Sequence, residues 1–247
     1  MARSLLFNLL FYATTVLFLV LGSPLLFGPR RWAMAALAIH GRFELWLLER
    51  IVGTTLEVRG LDKVPDGACL VAAKHQSAWE TFGLIPLFRD PALLMKRELF
   101  WIPLHGWFSH KFEMIPVDRD KGPAALRRMV REAKKRAAQG REIIIFPEGT
   151  RRAPGAPPDY KTGVVLLYEA LGIPCVPLAL NSGAFWPRRS FVRHPGIIVV
   201  EILDPIPPGL PKAEFLPRLI ATIETASARL LAEAKAEEHG VGRPVNL

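Results

Sequence analysis

From residue 4 to residue 29 the chain runs for 26 positions without a formal charge, and residues 4–23 are dominated by Leu, Phe and Val. Twenty helical residues extend about 30 Å, the thickness of a bilayer's hydrocarbon core, so the pattern predicts a membrane-anchoring helix. A cleaved secretory signal is the rival reading; its apolar stretch would usually be only about 7–15 residues, and no good small-x-small cleavage site follows here. Gly22, Ser23 and Pro24 interrupt the helix before Arg30 and Arg31. Residues 32–52 then place Ala36, Ile39, Phe43, Trp46, Leu47 and Ile51 at helical spacing among Arg42, Glu44, Glu49 and Arg50. That is the pattern of an amphipathic helix lying in the interface or against a core. Arg30, Arg31, Arg42 and Arg50 follow the first segment and only Arg3 precedes it, so the positive-inside bias places the remainder in the cytoplasm. Crossing and re-entry of the first helix both fit the pattern.

Beyond residue 53 the period changes to short apolar runs separated by turns and helices, which predicts an α/β sheet. Strands are expected at 56–59, 69–73, 92–95, 114–117, 143–146, 175–180 and 197–202, and helices at 78–88, 123–139, 162–171 and 213–237. The division is therefore residues 1–52 as membrane-anchoring helices and 53–247 as the main domain. The segment 151–159, with three prolines, is the most loop-like internal stretch.

Composition narrows the class. Half of the 247 residues are apolar, which excludes a disordered chain. Cys69 and Cys175 each sit inside an apolar run with no Cys or His at metal-ligand spacing, so neither a disulfide scaffold nor a structural zinc site is expected. The formal charge is +9, from 32 Lys+Arg against 23 Asp+Glu. Much of it is concentrated on the predicted helix 123–139, where Arg127, Arg128, Arg131, Lys134, Lys135 and Arg136 face Glu132 alone. A solvated outer face and a docking face for anionic lipid or an acidic acyl carrier both fit it. Nucleic acid is not an expected partner, because no binding module accompanies the charge.

Two segments carry chemistry. Lys74-His75-Gln76-Ser77-Ala78-Trp79-Glu80 follows a predicted strand directly. A carboxylate five residues after a histidine can orient one imidazole nitrogen and leave the other to accept a proton. The rival reading is structural, since Ser77-Ala78-Trp79-Glu80 also matches a capping box in which Glu80 serves only the helix start. The second segment, 143–152, is an apolar strand that empties into Pro147-Glu148-Gly149-Thr150-Arg151-Arg152. There Gly149 permits close backbone approach, Thr150 offers a hydroxyl, and Arg151 has the forked donor geometry suited to phosphate.

Taken together, the sequence resembles the glycerolipid acyltransferases of the lysophosphatidic acid acyltransferase (PlsC) type. Four blocks carry the resemblance in the family's order: His75 through Glu80 for its histidine-x4-aspartate block; Glu113-Met114-Ile115-Pro116-Val117-Asp118-Arg119; Phe146-Pro147-Glu148-Gly149-Thr150-Arg151 in full; and the proline-framed Ile173-Pro174-Cys175-Val176-Pro177-Leu178. Glu80 replaces the usual aspartate, and Lys74 stands where many members have asparagine. The resemblance implies an α/β, glycerolipid-acyltransferase-like core with a mixed central sheet flanked by helices, preceded by an N-terminal hydrophobic helix pair.

It also implies transfer of a fatty acyl group from acyl-CoA or acyl carrier protein to the sn-2 hydroxyl of 1-acyl-sn-glycerol 3-phosphate, at the cytoplasmic face of the inner membrane. The expected roles are His75 as general base and Glu80 as its orienting acid. Arg119 and Arg151 take the acceptor's phosphate, Glu148, Gly149 and Thr150 shape that pocket, and Lys161 adds a further positive charge. Backbone amides around Gly149 are the candidate oxyanion donors. No metal and no cofactor are called for. Another lysolipid acceptor, such as lyso-ornithine lipid, is the nearest alternative. A serine thioesterase using Ser77 lacks a Gly-x-Ser-x-Gly elbow, and a passive lipid-binding protein would have no use for a histidine–acid pair beside arginines.

Overall fold

The computed structural model describes residues 1–118 and 122–238. Seven strands form one sheet: β1 (Thr54–Arg59), β2 (Cys69–Ala73), β3 (Ala92–Lys96), β4 (Ile115–Val117), β5 (Glu142–Ile145), β6 (Cys175–Leu180) and β7 (Gly196–Ile202). Their order is β1-β7-β6-β2-β5-β3-β4, parallel throughout except for the antiparallel pair β6–β7. The sheet is thus mixed, as expected. Every predicted strand is present within two residues of its expected ends.

The central strands are apolar along their whole length because both faces are covered. Cys69, Val71 and Ala73 of β2 point into one core with Ile144, Val176 and Leu178, whereas Leu70 and Ala72 point into the other with Ile143, Ile145 and Cys175. The first face is covered by α1 (Ala2–Leu21) and α2 (Arg30–Val52), through Phe7, Ala33, Leu47, Leu48 and Val52. The second is covered by α5 (Gly122–Ala138), α6 (Gly163–Leu171) and α8 (Lys212–Glu238), through Met129, Val164, Tyr168, Phe215 and Ile223. Residues 2–52 are therefore packed onto the sheet and share its core. Thr14 of α1 donates to Glu44 of α2. At the other end of α1, Ser4 Oγ bridges the N–H and carbonyl of Arg193 at 3.0 and 3.1 Å, and Asn8 donates to the Phe191 carbonyl at 2.7 Å. On the outside, α1 leaves Leu5, Leu9, Tyr12 and Val16 in the open, and it is the one described helix long and apolar enough to cross a membrane.

Three expectations about helices change. The predicted helix 78–88 is a single four-residue turn, α3 (Glu80–Gly83), followed by a 3-10 turn (Ile85–Leu87). Pro86 cannot donate a backbone hydrogen bond and disfavours helical geometry in the residue before it. A second helix, α4 (His105–Lys111), and a third, α7 (Ser182–Phe185), are too short to show a helical period and were not expected.

Candidate active site

Because β6, β2 and β5 are neighbours and parallel, the segments leaving their C-terminal ends converge, the usual place for a site in an open α/β sheet. The first expected motif leaves β2, the second chemical segment leaves β5, and α7 leaves β6. His75 and Glu80 meet there: His75 Nδ1 lies 2.8 Å from Glu80 Oε2, with Glu80 fully buried and the imidazole 12% exposed. One ring face is stacked on Phe146, centroids 4.1 Å apart and planes 17° apart. With Nδ1–H given to the carboxylate, the Nε2 lone pair is the basic one.

The capping box expected at Ser77–Glu80 is not formed as such, because the helix begins only at Glu80 and Trp79 is its N-cap. The Glu80 carboxylate instead turns back to the preceding loop: its two oxygens accept the Ser77 N–H at 3.1 and 3.0 Å, while Oε2 also holds His75. Ser77 Oγ accepts from the Trp79 N–H at 2.9 Å, which ties its hydroxyl to the local turn. Ser182, fully buried on α7, donates to Glu80 Oε1, and Gln76 Oε1 accepts the Gly183 N–H at 3.0 Å. Ser182 was missed in the sequence. Its available signal was the polar run Asn181-Ser182-Gly183 at the end of an apolar strand. With α3 only four residues long, the carboxylate rather than a helix dipole sets the electrostatics at His75.

Glu148 faces inward and is 1% exposed. Its carboxylate accepts from Lys74 Nζ at 2.8 Å and from the His75 N–H at 3.3 Å. Lys74 also reaches Glu224 of α8 at 2.7 Å, and Tyr160 donates to the same carboxylate oxygen at 2.9 Å. Burial pushes the Glu148 carboxyl up, with Lys74 working against it; burial raises the Tyr160 phenol as well. This cross-brace joins both motif loops to α8, and Lys74 is its hub. Gly149 adopts φ +65°, a conformation L side chains rarely take, and its N–H is already given to the Phe146 carbonyl at 2.9 Å. That amide is therefore not free as an oxyanion donor.

Thr150 is exposed. Arg151 is half-buried, and its guanidinium makes no ion pair or hydrogen bond with the described residues. The Lys161 N–H is held by the Pro147 carbonyl at 2.8 Å, while its ammonium points outward to Asp159 at 2.8 Å. Arg119 lies outside the described residues. Asp118, just before it, is gripped by Arg97 at 2.8 Å and Arg128 at 2.9 Å. Among the described residues there is no cluster of three or more His, Cys, Asp or Glu able to hold a metal ion.

The structure thus sets a histidine–carboxylate pair beside an arginine-bearing turn at the C-terminal edge of a mixed α/β sheet. A model of the Acyltransferase family matches residues 55–181, from β1 to the end of β6. A 1-acyl-sn-glycerol-3-phosphate acyltransferase of Pseudomonas aeruginosa is 34% identical over 196 residues, 79% of this chain and 75% of that one. The alpha form of the enzyme of that name from Homo sapiens is 25% identical over 204 residues, 81% and 72% of the two chains. The crystal structure of the 1-acyl-sn-glycerophosphate acyltransferase PlsC from Thermotoga maritima superposes with a TM-score of 0.79 at 22% identity, covering 94% of this chain and 97% of that one, which shows a common fold. The chain belongs to the Acyltransferase family.

Proposed function

We propose that this chain acylates the sn-2 hydroxyl of 1-acyl-sn-glycerol 3-phosphate to give phosphatidic acid, with acyl-CoA or acyl carrier protein as donor and no cofactor. The carrying observation is the His75–Glu80 pair at 2.8 Å beside a turn whose Arg151 guanidinium has no hydrogen bond or ion pair among the described residues. Neutral His75 accepts the hydroxyl proton at Nε2 as the oxygen attacks the thioester carbonyl. Collapse of the tetrahedral intermediate breaks the C–S bond, and the imidazolium returns that proton to the thiolate. Glu80 fixes the tautomer and stabilises the transient cation. Arg151, with Arg119, takes the phosphate of the acceptor. In this reading α1 and the outward side of α2 lie in the inner membrane and the sheet faces the cytoplasm.

Membrane fractions given acyl-CoA with radiolabelled lysophosphatidic acid or lyso-ornithine lipid test the acceptor; consumption of the ornithine lipid alone overturns the phosphate assignment. His75→Ala is expected to lower turnover by about 10²–10⁴-fold while leaving the protein folded and membrane-bound. Arg151→Ala is expected to raise KM for the phosphorylated acceptor and leave the donor's KM nearly unchanged. A rise in the donor's KM instead assigns the arginine to the CoA side.

A further inference from the structure

The apolar surface exposed by α1 does not stop at residue 52. Trp101 (67% exposed), Ile102 (47%) and Trp107 (57%) stand in the open between β3 and β4, in a segment the sequence pattern assigned to no element. A 3-10 turn (Arg97–Trp101) leads into α4, which buries Phe108 and turns Trp107 outward. This segment is fastened to the far end of the α1–α2 hairpin. The Phe108 ring lies 5.7 Å from Phe18 of α1, and Lys111 Nζ donates to the carbonyl of Gly28 in the hairpin turn. Phe27, 92% exposed, belongs to that same turn.

The tip is held rigidly. The Gly106 N–H bonds to the Ile102 carbonyl at 2.7 Å, His105 Nδ1 lies 3.1 Å from the Leu99 carbonyl, and a Cβ on Gly106 would stand 2.0 Å from the Phe100 carbonyl oxygen. Leu104 is held at φ +60°, a costly conformation for a residue with a side chain. Two indoles and an isoleucine fixed in the open, on a segment that packs against the end of a lipid-length apolar helix, have the composition of an interfacial membrane contact, where Trp is enriched. The exposed Lys96 and the neighbouring Lys111 give the charge that anionic headgroups attract.

We propose that residues 99–107 form a second membrane contact, seated in the same bilayer interface as the α1–α2 turn. The inference rests on the membrane placement of α1 proposed above. It gives that placement an orientation, since two separate points on one rigid body restrict its tilt. It also ties lipid contact to the acceptor site: Arg97, at the start of the segment, grips Asp118 at 2.8 Å, next to Arg119.

Nitroxide labels on the full chain test it, because the native Cys69 and Cys175 are fully buried and unreactive. The variants are Trp101→Cys, Trp107→Cys, Val16→Cys on α1 and Lys135→Cys on α5, the last covering the opposite face of the sheet. With vesicles of phosphatidylcholine and phosphatidylglycerol, the labels at 101, 107 and 16 are expected to gain collisions with oxygen and lose them with a water-soluble nickel chelate, while the label at 135 stays nickel-accessible. Shielding at 16 with 101 and 107 still nickel-accessible overturns this inference and leaves the hairpin in the membrane. No shielding at any of the three overturns both. The double variant Trp101→Ala/Trp107→Ala is expected to bind these vesicles roughly tenfold more weakly, with unchanged turnover on detergent-dispersed acceptor. Unchanged vesicle binding overturns the proposal.

Discussion

Glu80 and Glu148 are both buried, both sit just beyond the C-terminal ends of adjacent strands, and both contact His75, yet their surroundings differ in one respect. Glu148 has an ammonium of its own: Lys74 Nζ pairs with it at 2.8 Å, independently of the histidine ring. Apart from His75, the groups that hold Glu80 are the neutral Ser77 N–H and Ser182 hydroxyl. A negative charge held only by dipoles responds strongly when a positive charge appears beside it; one already paired responds little. In the proposed mechanism Glu80 is then the acid that stabilises the imidazolium, whereas Glu148 ties two loops and, through Lys74, α8 together.

That contrast can be broken in order of expected effect. Lys74→Met leaves Glu148 and Glu224 without their shared cation, so a loss of about 3–5 kcal/mol in stability is expected, with turnover per folded molecule changed much less. The sign of its pH dependence follows from Glu148, whose folded pKa already lies above its ordinary value. Removing Lys74 raises it further, so the stability deficit against the parent protein should shrink as pH falls toward the ordinary carboxylate range and widen as it rises. Denaturant melts from pH 5 to pH 8 check this; a variant of normal stability that has lost turnover would reverse the roles of the two acids.

Glu80→Gln comes next, with turnover lowered by about 10²-fold or more and a smaller change in melting temperature. The amide keeps one acceptor but turns an N–H₂ toward a pocket of donors. A Gln variant near the parent in both values would leave His75 without an electrostatic partner. Smallest is Tyr160→Phe, which removes one neutral donor from Glu224: about 1 kcal/mol of stability and near-normal kinetics are expected. A large fall in turnover there would show that the cross-brace reaches the chemistry.

The sheet was legible because strands covered on both faces read as unbroken apolar runs, and β2, β5 and β6 are such runs. The His75–Glu80 pairing was legible because a spacing of five across a tight turn is local. The partners that come from afar were not. Ser182 lies 102 residues from Glu80 and Glu224 lies 150 from Lys74, and nothing in the sequence says that a serine after one strand meets an acid after another. For Glu224 the faint signal was an acid beside Ile223, on the buried side of α8. The short helices escaped because four to seven residues complete too few turns to show a period, and the long helix expected at 78–88 failed on a single proline.

The stitching of α1 to residues 191–193, and of β1 to β7 alone, bears on how the chain is made. Synthesis is vectorial: β1 is complete at Arg59, but its strand partner among the described residues begins at Gly196. At about 5–20 residues per second the ribosome needs roughly 7–30 s to bridge that interval. Throughout it the most apolar segment of the protein has α2 beside it but lacks the carbonyls of residues 191 and 193 that hold its N-terminal end, and β1 lacks β7. In the membrane placement proposed above, early capture of the nascent helix by the bilayer would shield that segment during those seconds, and the surface that supplies the substrate would first have assisted folding.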